Sequence, residues 1–447
     1  MLIQFVVENY LSFRKREVFS MRASKNVSRN AGPADLVQNT DILRCAALYG
    51  ANAAGKSNFV RALDFARSMV LEGTKEGQDI DVHPFQLSKE TRDAPVILEI
   101  YVRAMSGKIY GYGFSATRRA IQREWLTEVR DGSERLVFER EVGKFHFAAR
   151  GKNLAYLRNI QVGVRDNQLF LHLARLLKIE SFPIAIREVV EWFGSCLQII
   201  QPHTQYGVLV PMLSAFDSFR QFMGAVLRQA DTGINGLHLQ ERRLGQSLEG
   251  VAKGRLDLLK FGEKLVVMDT EQGRICYIRD ASDWVELSLR FTHRTESGEA
   301  DLQLENESDG TIRLLDLAPI LYYAQGHQLE GEANVRGQKP VVFVIDELDR
   351  SLHTSVCRWL IERFVLEAKG SESQLIFTTH DTNLLDVQVL EPDAFWFTEK
   401  GADGGSALFS LAEFKDEQIS QLRKDLEKSY LIGRFGGIPH LRGIKGA

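Results

Sequence analysis

The stretch GANAAGKSN, residues 50–58, constrains the fold of this chain more than any other. It fits the phosphate-loop pattern G-x-x-x-x-G-K-[ST], and the residues at the fixed positions are Gly50, Gly55, Lys56 and Ser57. Such a loop must lie between a strand and a helix, because its backbone N–H groups and a helix N-terminus point at the phosphate oxygens. An apolar run at 42–49 precedes the loop, and apolar residues recur every three or four positions over 59–71. The sequence therefore predicts strand, loop and helix in that order.

The loop predicts a nucleotide site with distinct roles for its residues. Lys56 would reach the β and γ phosphates as a point charge, and the Ser57 hydroxyl would ligate Mg²⁺. The other loop residues are predicted to contact the nucleotide; they are Gly50, Ala51, Asn52, Ala53, Ala54, Gly55 and Asn58. The pattern alone does not separate transporters, helicases, kinases, GTPases and chromosome-organising ATPases.

Two later apolar runs predict strands that end in polar residues. VVFVIDELD, residues 341–349, reads as a strand buried on both faces; Asp346 would hold Mg²⁺ through water and Glu347 would polarise the attacking water. QLIFTTHD, residues 374–381, places His380 at a strand end, where ligands of parallel sheets bind, so His380 is a candidate sensor of the γ-phosphate. For the two acids the alternative is a plain strand-to-helix cap, and for His380 it is a structural histidine.

Composition narrows the class of protein. The longest apolar runs are far shorter than the ~20 residues of a membrane span, and MLIQFVVENY lacks a secretion-signal pattern, so the expected location is cytoplasmic. Four cysteines occur without a C-x-x-C pair, which argues against a zinc ribbon and a disulfide framework. The 56 basic and 59 acidic residues nearly cancel, so net charge gives no support for nucleic-acid binding and does not exclude it.

The spacing of the motifs indicates a large insertion, because Lys56 and Asp346 are 290 positions apart. Short β-like runs between 95 and 147 predict an antiparallel meander, residues 167–240 read as mostly helical, and 255–300 return to β-like alternation. There is no heptad run of three or more turns, so no long coiled coil is expected. Just before the acidic strand, Ser308 to Thr311 open an amphipathic helix.

The order of NYLSF, GANAAGKSN, ESDGTIRLL, VIDELDRSLH and FTTHD resembles the ABC-type ATPases of the SMC, Rad50 and RecF kind. More narrowly, it is similar to the bacterial AAA15/AAA21 group of OLD-like ATPases, over both ends of the chain and only loosely in the middle. The resemblance implies an α/β ABC-type ATPase head with a P-loop sheet, an antiparallel β subdomain and a mostly helical insertion. Residues 1–165 and 301–447 would be the two halves of the head, and 166–300 the inserted helical and β region.

The resemblance also implies ATP and Mg²⁺ as cofactors and two heads that face each other. Ser308 and Gly310 of one head would cap the γ-phosphate held by the other, and Asp349 would lie in the loop that crosses the interface. Gln168 is a candidate for the glutamine that senses Mg²⁺, with a surface amide as the alternative, and Ser12 is retained at a nucleotide-contacting position. The signature segment of this chain, Ser308 to Thr311, reads S-D-G-T where related ATPases have L-S-G-G-Q. Leu11, after Asn9 and Tyr10, stands where related heads carry an arginine after N-F.

Proteins of the similar group commonly act in two-gene phage-defence systems of the PARIS or RloA type. The chain is therefore expected to be an ATP-driven sensor that self-associates as a homodimer or higher oligomer, responds to a phage-derived trigger and controls a separate effector, such as a TOPRIM-like nuclease. Only 67 residues follow His380, which argues against an in-chain nuclease. YLIGRFGGIPHL, residues 430–441, is a candidate docking segment for a partner. The alternative functions are a RecF-like repair ATPase that binds DNA directly and, disfavoured by the insertion, a transporter subunit.

Overall fold

The computed structural model describes residues 1–23, 41–177, 179–204, 209–245, 256–261, 264–269, 276–280, 283–326, 340–414 and 426–431. The chain forms two compact units. The first comprises Met1–Gln201, Lys339–Leu348 and Glu372–Ala447, and the second Pro202–Gln338 and Asp349–Ser371. Most of the candidate docking segment at 430–441 lies outside the described residues.

The described elements are mixed α and β, as predicted. The strands are β1 (Leu2–Glu8), β2 (Glu17–Ser20), β3 (Cys45–Gly50), β4 (Val96–Arg103), β5 (Ile109–Ala116), β6 (Ile121–Arg130), β7 (Ser133–Glu141), β8 (Lys144–Phe147), β9 (Leu197–Ile200), β10 (Ile234–Gly245), β11 (Leu256–Phe261), β12 (Lys264–Asp269), β13 (Cys276–Asp280), β14 (Asp283–Thr295), β15 (Gly298–Gln303), β16 (Val342–Ile345), β17 (Gln374–Thr378), β18 (Phe395–Lys400) and β19 (Ser406–Ser410). The helices are α1 (Lys56–Leu71), α2 (Lys89–Arg92), α3 (Gly151–Gln161), α4 (Phe170–Leu176), α5 (Ile184–Glu191), α6 (Leu209–Ala215), α7 (Asp217–Gln229), α8 (Asp309–Leu317), α9 (Pro319–Ala324), α10 (Thr354–Glu367) and α11 (Leu426–Leu431).

The first unit contains a seven-stranded antiparallel sheet in the order β2-β1-β4-β5-β6-β7-β8. Strands β4 to β8 pair in chain order, which confirms the predicted meander. Aromatic side chains connect this sheet to α1, because Phe59 lies 5.6 Å from Phe5 and 4.8 Å from Phe19 between ring centroids. Burial of each such ring stabilises the unit by roughly 2 to 3 kcal/mol, so the sheet fixes the position of the helix that follows the phosphate loop.

A second sheet of the first unit has the order β19-β18-β3-β17-β16-β9. The five strands from β18 to β9 are parallel, and only β19 is antiparallel. Strands β3, β16 and β17 are buried along their whole length, as expected of apolar runs covered on both faces. Because parallel strands all point the same way, the loop after β3 and the polar residues after β16 and β17 meet at one edge.

The second unit combines helices with an antiparallel sheet of order β10-β14-β13-β12-β11, in which β15 also pairs with β14. Strand β10 begins at Ile234, so the helical reading that extended to about 240 was wrong at its end. Tyr322 of α9 packs on Phe219 and Phe222 of α7 at centroid distances of 5.0 and 5.2 Å. Within the described ranges no helix has the length and apolar character needed to cross a membrane, and none forms a long coiled coil; α1 has 16 residues.

Candidate nucleotide-binding site

The glycines of the phosphate loop are required by close packing. A Cβ on Gly50 would lie 2.2 Å from Thr398 Oγ1, so the start of the loop packs directly on β18. A Cβ on Gly55 would lie 2.5 Å from Ser406 Oγ and 3.0 Å from Ser12 Oγ, and Gly55 has a φ of 120°, which side-chain-bearing residues rarely adopt. The loop is therefore closed on the hairpin of β18 and β19 and on the turn that carries Ser12.

The apex of the loop combines a left-handed residue with a tight backbone turn, and both occur in anion-binding concavities. Ala53 has a φ of 62° and so lies in the left-handed region, and the N–H of Ala54 donates to the carbonyl of Ala51 at 3.1 Å. Alternation of right- and left-handed residues turns successive N–H groups toward one side. Asn52 is exposed at this apex, and Asn58 Nδ2 donates to Ser12 Oγ at 2.8 Å.

Lys56 lies inside the curve of the loop with only 5% of its surface exposed. Its Nζ donates to the carbonyl oxygens of Gly50 at 2.7 Å and Ala51 at 3.2 Å. The same Nζ lies 3.3 Å from Nδ1 of His380, which is an exposed residue. The structure thus brings together the lysine and the histidine that the sequence placed 324 positions apart.

The predicted metal ligands Ser57 and Asp346 also meet. Ser57 Oγ donates to Asp346 Oδ1 at 3.2 Å, and the Asp346 backbone N–H donates to the carbonyl of Ile200 at 2.9 Å. The Asp346 residue is 6% exposed. A buried carboxylate is costly unless it is hydrogen-bonded, and here serine and threonine hydroxyls supply the donors.

Thr378 was not among the predicted site residues, although it holds both acids. Its Oγ1 donates to Asp346 Oδ1 at 2.6 Å and accepts from the backbone N–H of Glu347 at 2.8 Å. Glu347 has a φ of 51°, so this N–H bond helps to hold a left-handed backbone. The signal in FTTHD was weak, because threonine is an ordinary strand residue; its place at the end of a strand next to the acidic strand was the available clue.

Gln201 is a second residue that the sequence did not reveal as part of the site. It directly follows β9, the parallel neighbour of β16, at the strand end where Ile200 accepts the Asp346 N–H. Its Nε2 donates to Asp64 Oδ2 of α1 at 2.8 Å. LQIIQ, a short apolar run that ends in a polar amide, resembles the two predicted strand ends, but it lies in a stretch read as helical.

Gln168 lies elsewhere. It is almost fully buried before α4, and its carbonyl accepts from Arg140 at 2.7 Å. Helix α4 attaches to the C-terminal end of α1, where His172 Nδ1 lies 3.0 Å from the Val70 carbonyl. A 16-residue helix is about 24 Å long, and Lys56 is at its other end. The structure does not bring Gln168 to the proposed metal position, because that glutamine belongs to the packing of α4.

The residues predicted to act across an interface lie together in the second unit. Ser308 is exposed and caps α8, with its Oγ accepting from the N–H of Thr311 at 3.1 Å. A Cβ on Gly310 would lie 2.8 Å from the carbonyl oxygen of Ser351. Ser351 belongs to the turn that Asp349 opens, in which the N–H of Leu352 donates to the Asp349 carbonyl at 3.3 Å. The turn that follows the acidic strand thus packs directly on the first turn of α8.

The residues at the strand edge fit a nucleotide with Mg²⁺. The first turn of α1 carries no acidic residue, and a buried ammonium lies within the loop. Mg²⁺ prefers oxygen ligands and is usually held by one or two protein groups together with substrate phosphates and water. Ser57, Asp346 and Gln201 offer hydroxyl, carboxylate and amide oxygens. In the parts of the chain that are described, no cluster of three or more His, Cys, Asp or Glu side chains could hold a metal by itself.

Comparisons with solved structures found several chains with low identity. An SMC head domain from Thermotoga maritima is 12% identical with a TM-score of 0.37, over 92% of this chain and 98% of that one. An SMC head bound to the C-winged helix domain of ScpA is 12% identical with a TM-score of 0.44, over 94% and 99%. The recombination mediator protein RecF-ATP of the RecFOR pathway is 12% identical with a TM-score of 0.37, over 92% and 99%. No curated protein matches the sequence.

One family model does match. It is described as "AAA domain, putative AbiEii toxin, Type IV TA system" and covers residues 45–170 and 214–386, which is more than half of the chain. The matched ranges contain the phosphate loop, the signature turn, the acidic strand and His380. The AAA21 part of the predicted resemblance is confirmed at the level of the family, whereas AAA15, the OLD-like grouping and the narrower PARIS or RloA group stay predictions. The chain belongs to this AAA-domain family, AAA_21.

Proposed function

We propose that the protein is an ABC-type ATPase that binds and hydrolyses ATP. The observation that supports this most directly is the meeting of Lys56, Ser57, Asp346 and His380 at one edge of a parallel sheet, through contacts of 3.2 and 3.3 Å. These side chains come from three strand ends that are far apart in sequence. A plain glycine turn requires none of these contacts, whereas a triphosphate site needs the lysine, the hydroxyl and the carboxylate close together around the phosphates and Mg²⁺.

Each side chain of the site has a chemical task. Lys56 would compensate negative charge on the β and γ phosphates, and His380 beside it would donate a hydrogen bond to the γ-phosphate. Ser57, Asp346 and Gln201 would hold Mg²⁺, which when bound neutralises charge that develops on the phosphate oxygens. Glu347 would accept a proton from the attacking water. Thr378 keeps Glu347 and Asp346 in a fixed relation through its one hydroxyl.

We further propose that each ATP site is completed by a second copy of the chain. Ser308 and Gly310 at the start of α8 would approach the γ-phosphate held by the partner copy, and Asp349 would cross the interface. Two observations support this proposal: Ser308 is exposed, and Gly310 packs on the turn that Asp349 opens. Because they are in contact, the start of α8 and this turn would reach the interface together. The free N–H groups of a helix N-terminus attract anions.

For the biological role, we propose a sensor subunit of an anti-phage defence system that controls a separate effector. The family description supports only the two-component part of this proposal, because it names a toxin of a toxin–antitoxin system. Plaque counts on cells that carry the gene with its neighbouring effector gene test this role. Protection should be lost with Lys56→Ala. If protection is absent with the parent protein and duplex DNA retains the purified protein with steep salt dependence, a DNA-repair ATPase replaces this proposal.

The hydrolytic step is tested with Glu347→Gln. We expect ATP affinity to stay within about twofold and turnover to fall by roughly 10² to 10⁴, which is the usual contribution of a general base. Dimers that hold ATP should accumulate, because ATP binding still brings two chains together whereas the hydrolysis that would separate them is slow. Glu391→Gln, at an exposed position of the same unit, is the matched control. Parental turnover in Glu347→Gln would show that another group activates the water.

A further inference from the structure

Two side chains of α1 attach it to strand β9. Asp64 Oδ2 accepts from Gln201 Nε2 at 2.8 Å, and Arg67 Nε donates to the carbonyl of Leu197 at 3.2 Å. Asp64 and Arg67 are three positions apart and therefore lie on the same face of the helix. Leu197 begins the strand and Gln201 follows its last residue, so α1 holds both ends of β9.

Strand β9 needs such attachments, because it is the last strand in the order of its sheet. It has four residues and pairs with β16 alone among the described strands. The backbone ladder fixes the register of Ile200 with Ile345, but it does not set the direction of the side chain that follows. The direction of the Gln201 amide therefore depends on its own side-chain partners.

The chemistry of Asp64 selects the orientation of that amide. An ionised carboxylate only accepts hydrogen bonds, so it pairs with the NH₂ group of Gln201 and not with the carbonyl oxygen. The amide is planar, and its oxygen is then turned away from Asp64. The oxygen is the atom that can ligate Mg²⁺, and Gln201 stands at the strand end next to Asp346.

We propose that Asp64 is a positioning residue that presents the Gln201 amide oxygen to Mg²⁺, with Arg67 holding the strand that carries Gln201; this inference rests on the proposed ATPase function. Outer partners that orient metal ligands typically contribute 10- to 100-fold in metal affinity. Asp64 is half-buried and lines an open cleft of about 790 Å³ along α1 with Tyr10, Arg61 and Phe65. A smaller side chain there faces the cleft and leaves the packed core intact.

The test measures binding without hydrolysis. A fluorescent ATP analogue is titrated with and without Mg²⁺, and the ratio of the two dissociation constants gives the enhancement by the metal. Asp64→Ala should lower this enhancement about tenfold while binding without Mg²⁺ is unchanged. Asp64→Asn should retain most of it, because the Asn carbonyl still accepts from Gln201. Arg61→Ala, on the same helix and cleft, is the control and should behave like the parent.

A double mutant separates positioning from general support of the fold. Gln201→Ala should lose the same enhancement, and Asp64→Ala combined with Gln201→Ala should lose no more than Gln201→Ala alone. Arg67→Met provides a second variant and should lower the enhancement about twofold or more. The inference is wrong if the losses in the double mutant are additive, or if Asp64→Ala or Gln201→Ala keeps the same enhancement by Mg²⁺ as the parent. Either result would leave the proposed ATPase function standing. A parent protein without Mg²⁺-dependent nucleotide binding would overturn the proposed function as well.

Discussion

Replacement of Thr378 by valine removes one hydroxyl that serves both acidic residues of the site. Valine keeps the shape and the strand preference of threonine, so the change is confined to hydrogen bonding. Loss of the bond to the Asp346 carboxylate costs about 1.5 to 3 kcal/mol, and an unsatisfied Glu347 N–H costs about 1 to 3 kcal/mol. Thr378 is 1% exposed, which leaves little room for water to replace the hydroxyl. Allowing for partial relaxation, we expect a loss of about 3 kcal/mol in the free energy of unfolding.

The loss is measured by urea denaturation of the parent, Thr378→Val and the control Thr378→Ser, which keeps the hydroxyl. Thr378→Ser should stay within about 1 kcal/mol of the parent, since it loses only a methyl group. Hydrolysis by Thr378→Val should fall about tenfold or more, because Glu347 is no longer held in its left-handed backbone. A free energy of unfolding within about 0.5 kcal/mol of the parent would refute the claim that this hydroxyl stabilises the two acids.

Gly310→Ala would place a Cβ 2.8 Å from the Ser351 carbonyl; we expect hydrolysis to fall about tenfold through the shift of the Asp349 turn, with ATP binding to a single chain unchanged in an equilibrium titration. Alanine normally favours a helix over glycine by about 1 kcal/mol, so a gain in activity or stability would contradict the packing argument. Gln168→Ala should lower the melting temperature and leave Mg²⁺-dependent ATP binding intact. Gln201→Ala should weaken Mg²⁺-dependent ATP binding and leave the melting temperature unchanged. Equal metal dependence in the two variants would refute the placement of the site glutamine.

Much of the first unit follows from local patterns in the sequence. The phosphate loop predicts a strand before it and a helix after it. The meander from β4 to β8 follows alternating runs separated by turn residues. Asp346 and His380 were predictable for a similar reason: each stands just after a short strand with an apolar centre. Parallel strands align such ends without any further information.

What the sequence did not reveal depends on which strands are neighbours. Gln201 stands next to Asp346 because β9 pairs with β16, whereas the surrounding stretch was read as helical from the sequence. Thr378 matters through a hydroxyl that reaches across two strands, which no spacing along one strand indicates. Gln168 was chosen for its position before an apolar helix, and packing against the far end of α1 takes it away from the loop.

The claim that each site needs two chains is tested most directly by mixing two inactive variants. Lys56→Ala cannot hold the phosphates, and Ser308→Arg cannot cap the partner's site, so each alone should be inactive. A mixed dimer contains one site with an intact Lys56 from one chain and an intact Ser308 from the other. An equal mixture should therefore recover about one quarter of the parental ATP hydrolysis, since half of the dimers are mixed and each has one working site of two. A mixture as inactive as its two components would contradict the account.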